Sequence, residues 1–101
     1  MTFSKRKIID GHVHYAHTSY EESLMSILAG AGIDKLAVVC TPDEKRLSLV
    51  PDAMHLKAKH PDKVYVFGGL DISPLFMAPD IAGEAFAHYV DILSEMGADG
   101  V

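Results

Sequence analysis

Between residues 8 and 17 the chain reads IIDGHVHYAH, which brings three imidazoles and a carboxylate into ten positions. Neutral imidazole is the commonest protein ligand for a metal ion. On an extended strand, residues two apart share a face, so His12 and His14 can reach one divalent cation at the roughly 2.0–2.1 Å that zinc requires. Asp10, at the same two-residue step, is placed to orient a ligand or to approach the ion itself. Strict alternation puts Ile8, Asp10, His12 and His14 on one face and Ile9, Gly11, Val13 and Tyr15 on the other. The second face is expected to be packed by helices, with Gly11 letting another element lie close. Six histidines among 101 residues produce His-x-His by chance often enough that the pattern alone decides nothing. Its context carries the reading: the pair closes the first strand, on one face, with a carboxylate before it. His17, in the loop beyond, is a further candidate at the rim of the site, against a solvent or capping role. His55, His60 and His88 fall on helices or their ends and are expected at the surface.

The elements that position this motif alternate. Ile8, Ile9 and Val13 make the first strand. Ser19 and Glu22 have capping-box spacing, and Tyr20, Leu24, Ile27, Leu28 and Ala31 recur at helical intervals, with Gly30 and Gly32 available to end the helix. KLAVVC, 35–40, reads as a strand buried on both faces. A second helix is expected over much of 44–60, with Leu47, Val50, Met54 and Lys57 on one side and a restart or kink at Pro51. HPDK is a turn, and VYVFGGL, 64–70, a third strand. Residues 71–80, with two prolines, read as a loop. Ala82, Ala85, Phe86, Tyr89, Val90, Leu93 and Met96 then trace an amphipathic helix that Gly97 ends, and ADGV begins a fourth strand. Strands starting near 7, 35, 64 and 98 recur at about 30 residues, the size of one βα unit. Thr41 and Asp71, at the ends of the second and third strands, are candidates for the same rim, where each also suits a turn or a cap.

Such alternation implies an α/β fold with a parallel sheet. A doubly wound sheet fits the length, and an eight-unit barrel, of which this is less than half, fits the opening motif, because barrel active sites lie at the carboxyl ends of the strands. Hydrophobic residues are 49% and charged ones 23%, which argues against a disordered chain. A net charge of −5 argues against a nucleic-acid backbone as partner, since that partner demands a basic surface. No apolar stretch approaches a membrane span. The early Asp10-Gly11-His12 interrupts any secretory segment, and one cysteine, Cys40, fits a reducing compartment, so the cytoplasm is the default location.

Asp10-Gly11-His12-Val13-His14 closing the first strand resembles the signature of the amidohydrolase superfamily, especially its amidohydrolase-related branch, which includes decarboxylases resembling aminocarboxymuconate semialdehyde decarboxylase. AGAGIDKLAVVCTP, where the first helix hands over to the second strand, is similar to that branch too. The resemblance implies that residues 1–101 are the amino-terminal portion, about three and a half βα units, of a TIM-type (β/α)8 barrel. It implies that His12 and His14 hold a divalent ion, zinc or else manganese, with Asp10 as support. The remaining ligands, a histidine or two and a catalytic aspartate, are then expected from the fifth, sixth and eighth strands, so the chain reads as part of something longer and inactive alone. The implied activity is hydrolysis of a small-molecule substrate by a metal-activated water, or metal-dependent decarboxylation, with homo-oligomerisation left open. Phosphoesterases of the polymerase-and-histidinol-phosphatase type also open with paired histidines on a first strand. Here only His17 and Glu21 or Glu22 would extend that ligand set. A small non-enzymatic, doubly wound binding domain is the other alternative, although HYAHTS has no glycine to cradle phosphate, and Gly30 and Gly32 end a helix instead of beginning one.

Overall fold

The computed structural model describes residues 6–41 and 49–101. Three parallel strands, β1 (Ile9–Val13), β2 (Lys35–Val39) and β3 (Val64–Phe67), lie in chain order in one sheet. Gly100 extends that order by a parallel bridge to Phe67, where the Gly68 amide donates to the Gly100 carbonyl at 2.9 Å. The expected fourth strand thus begins beside β3.

Helices α1 (Glu21–Ala31), α2 (Leu49–Lys59) and α4 (Ala82–Met96) follow the three strands, with a short α3 (Ser73–Met77) between β3 and α4. Leu36, Val38 and Cys40 of β2 and its end, with Val64 and Val66 of β3, are buried in one cluster with Leu28 of α1 and Ala53 and Leu56 of α2. Gly68, the next position of this alternating set, leaves room for Leu93 of α4: a Cβ there would lie 2.5 Å from a Leu93 methyl. The helices therefore bury their side chains against one face. Right-handed crossovers between strands added in one direction have this consequence. Lys35, Val39, Tyr65 and Phe67 alternate onto the opposite face, where Tyr65 is exposed and Lys35 reaches its hydroxyl at 3.4 Å.

Local signals mostly fall where the sequence places them. Gly32 and Gly97 end α1 and α4 in the left-handed conformation, at φ 71° and 93°, which glycine adopts without a Cβ clash. Leu36, Ala37 and Val38 are buried, but Lys35 and Val39 on the face away from the helices are only half-buried, so β2 is covered on one side and not, as expected, on both. Pro51 stands two residues after Leu49, where the described part of α2 begins. Leu47 and the beginning of the expected 44–60 helix lie outside the described residues.

Three further expectations change. Tyr20, not Ser19, is the cap of α1, and no side chain closes it. Ser19 sits instead inside a 3-10 turn, Thr18–Tyr20, capped by His17, so the capping box with Glu22 does not form. The 71–80 stretch is not a loop throughout: it holds α3 and a second 3-10 turn, Pro79–Ile81, each with proline in its first turn, where proline starts helices well. Strand β3 stops at Phe67, short of 70, because Gly68 and Gly69 are given over to close contacts with Leu93 and with the backbone of Cys40 and Thr41. Among the described residues no helix is long and apolar enough to cross a membrane.

Candidate metal centre

β1 does not alternate strictly. Ile9 pairs with Lys35 and Asp10 with Leu36, but Val13 pairs with Val38, so three residues of β1 are matched by two of β2. This is a β-bulge, which re-aims the side chains beyond it. Partnered residues of a parallel ladder share a face. Asp10 therefore belongs with Leu36 on the helix side, as does Ile8, which lines a recess there with Leu28 and Ile33. Ile9 belongs with Lys35 on the open side and is 55% exposed. Past the bulge Val13 and Tyr15 enter the core, and His12 and His14 turn to the open face. The expectation that Asp10 shares a face with both histidines is thus corrected. So is the expected close approach at Gly11, since nothing lies within 4 Å of a Cβ built there.

The two imidazoles converge. Their Nε2 atoms stand 3.2 Å apart, with the rings edge-on at 88°. His14 Nδ1 lies 2.9 Å from the Val39 carbonyl oxygen. A carbonyl only accepts, so Nδ1 carries the proton and a neutral His14 presents its Nε2 lone pair to His12. Two nitrogens on one tetrahedral zinc at about 2.0–2.1 Å stand about 3.3–3.4 Å apart, close to the observed separation. A ring N–H given to a backbone carbonyl is also how metal-ligating histidines are usually oriented. The donor pair fits a divalent cation as two of its ligands. Among the described residues no group of three or more His, Cys, Asp or Glu side chains gathers to complete the set.

The other candidates lie elsewhere. Asp10 Oδ1 accepts the amide of His12 at 3.1 Å, a bond to the backbone and not to an imidazole. His17 Nδ1 accepts the Ser19 amide at 3.0 Å, which commits that nitrogen to capping. Thr41 and Asp71 together line an apolar recess of about 250 Å³ between α2 and α4, with Leu49, Leu93 and Met96 among its walls and neither His12 nor His14. Asp71 is held by its neighbours: Oδ1 accepts the Ser73 hydroxyl at 2.7 Å and the Ser73 amide at 2.9 Å, and Oδ2 accepts the Tyr89 hydroxyl at 3.3 Å. The Ser73 bonds, hydroxyl then amide, keep its carboxyl below the usual range despite some desolvation. Glu21 is bound to Lys59 at 2.8 Å and lies 3.4 Å from His60. His60 is accordingly half-buried and paired, while His55 and His88 are exposed.

No protein-family profile, curated protein or solved structure matches the chain. The site's chemistry therefore rests on its own geometry. Sequence reasoning did not find the Val39 carbonyl, because a backbone acceptor on a neighbouring strand leaves no residue-type signal. It did not find the bulge either, although Gly11 was its available signal: a glycine inside a strand marks either a bulge or a close approach, and the expectation took the second. Tyr15 is 4% exposed, and its hydroxyl has no hydrogen-bond partner among the described residues. Burial, then the charges of Glu21 and Asp52, push its pKa upward, so it is a neutral phenol at physiological pH.

Proposed function

We propose that this chain carries two ligands of a divalent metal centre in a metal-dependent hydrolase of the amidohydrolase type, built on a singly wound parallel (β/α) barrel. The observation that carries the proposal is the convergence of His12 and His14 Nε2 at 3.2 Å, with His14 oriented by the Val39 carbonyl. Three strands in chain order with helices on one face suit both architectures, and what supports the barrel is the start of the fourth strand at Gly100 beside Phe67 of β3, since a doubly wound sheet of order 3-2-1-4 returns its fourth strand to the side of the first. The pair lies at the carboxyl end of β1, the end at which barrel enzymes assemble their sites.

In this reading His12 and His14 hold the ion, zinc or manganese, and Val39 fixes the tautomer that exposes the His14 lone pair. The ion, when bound, acidifies a water and polarises a substrate carbonyl. A catalytic zinc takes three protein ligands, so at least one more, and the general base, come from outside the described residues. Hydrolysis of a small-molecule substrate is preferred; decarboxylation at the same centre is the second outcome a test must separate. Purified protein stripped with a chelator and reloaded with zinc or manganese should hold metal in proportion to chain and lose it on His12→Ala or His14→Ala. The reloaded protein is then assayed against esters, lactones and amides, with carbon dioxide release from carboxylate substrates in parallel. Metal binding that persists in the double variant would overturn the proposal.

A further inference from the structure

We propose that Asp10 is a positioning residue that acts through the backbone: by accepting the His12 amide it holds the β1 bulge, and the bulge is what turns His12 and His14 to the open face. The inference rests on the reading of these histidines as a ligand pair. Its core is the register. Asp10 is paired with Leu36, and a regular ladder continuing from there would match His12 with Val38 and His14 with Cys40. Val38 and Cys40 are 0% and 5% exposed, inside the core. Both imidazoles would then be driven among apolar side chains, and Val13 and Tyr15 would be turned out of the cluster they now join. One extra residue reverses this, since the side-chain period of a strand is two.

A bulge disrupts the ladder and leaves backbone groups without their strand partners, free to be taken by water or by a side chain close enough to fix their direction. Glycine in the left-handed conformation is one way to hold a bulge. Gly11 does not serve so, because among the described residues only Gly32 and Gly97 have positive φ. The carboxylate does: Asp10 Oδ1 takes the His12 N–H at 3.1 Å. Asp10 also does not join His12 and His14 as a third metal-ligating group, so its contribution runs through the placement of the ligands.

Zinc affinity, by competition with a chromophoric chelator, and hydrogen exchange of the His12 amide are measured in wild type, Asp10→Ala and Asp10→Asn. Asparagine keeps an acceptor oxygen at the same reach and removes the charge. Alanine should weaken zinc binding by about ten- to a hundredfold, the usual loss for a group that orients a ligand, and should speed exchange at His12. Asparagine should restore both to within about fivefold of wild type. An asparagine variant as weak as the alanine one would show that charge, not the clamp, is at work and would overturn the inference, as would an alanine variant unchanged in both. If wild type itself binds no zinc, the metal reading fails and the exchange rates alone still decide the clamp. Should the alanine variant not fold, Asp10→Leu, close in size and without an acceptor, takes its place: losses like those expected of alanine support the clamp, and a leucine variant unchanged in both would overturn it.

Discussion

Zinc should stabilise this protein against heat through His12 and His14 acting together, and the size of the effect follows from their convergence. A ligand at a hundred times its Kd that binds only the folded state adds about 2.7 kcal/mol. For a domain of this size each kcal/mol moves the melting temperature by about 4–8 °C, so the expected rise is about 11–22 °C. Because the two Nε2 atoms already stand 3.2 Å apart, the second nitrogen binds as an intramolecular arm. Removing either arm forfeits an effective concentration worth about a hundredfold or more in affinity. At the same zinc concentration the single variants His12→Ala and His14→Ala are then near their own Kd, where stabilisation is about 0.4 kcal/mol and the rise only about 2–3 °C. The double variant should lose little beyond either single one. His17→Ala should keep the full rise, since its Nδ1 is committed to Ser19 and the ring does not join His12 and His14 in a ligand group. Differential scanning calorimetry with and without zinc measures all of this. A wild-type protein indifferent to zinc, or single losses that simply add, would refute the chelate argument.

Other consequences are mechanical and electrostatic. Gly69→Ala should destabilise by about 1–3 kcal/mol, because its Cβ would sit 2.6 Å from the Cys40 carbonyl oxygen, whereas Gly11→Ala, with nothing within 4 Å, should stay within about 0.5 kcal/mol of wild type; urea melts compare the two. Leu56→Ala, at a fully buried position in the core, should cost about 2–5 kcal/mol by the same measurement. Asp99 ties the incipient fourth strand to α2 and β3: its Oδ2 accepts Lys57 Nζ at 2.7 Å and the Val66 amide at 2.8 Å. Burial works to raise its pKa, but the Lys57 and Val66 bonds and the Lys57 charge together outweigh it and leave the carboxyl lowered. A lowered folded pKa means stability that is present above the ordinary carboxylate range and lost as pH falls through the folded value. The stability gap between wild type and Asp99→Asn should therefore be open at neutral pH and close in acid, and a gap that does not change with pH would refute the linkage.

Much of the path of the chain can be read from the residues alone. Hydrophobic spacing at Leu24 and Leu28 or at Tyr89 and Leu93 is a local property of a helix, and Gly32 and Gly97 stop their helices through backbone freedom that no neighbour has to supply. KLAVVC announces a strand for the same reason. The chemical character of the site is equally local: two imidazoles two residues apart on an extended segment, with a carboxylate before them. The helical turn at Ser73–Met77 is not legible because Pro74 suits a loop and a first helical turn alike, and Ser19 has the spacing of a cap but gives its amide to His17.

What only tertiary structure decided is which way the histidines face. Whether β1 runs straight or gains a residue against β2 depends on the pairing of Val13 with Val38 and on what the core accepts there, and neither is written in the five residues of the strand. The orientation of His14 likewise comes from the carbonyl of Val39, 25 positions away in sequence. Residue type set what these side chains can bind. The packing of one strand on the next set where their nitrogens point, because backbone partners and register exist only once the strands have met.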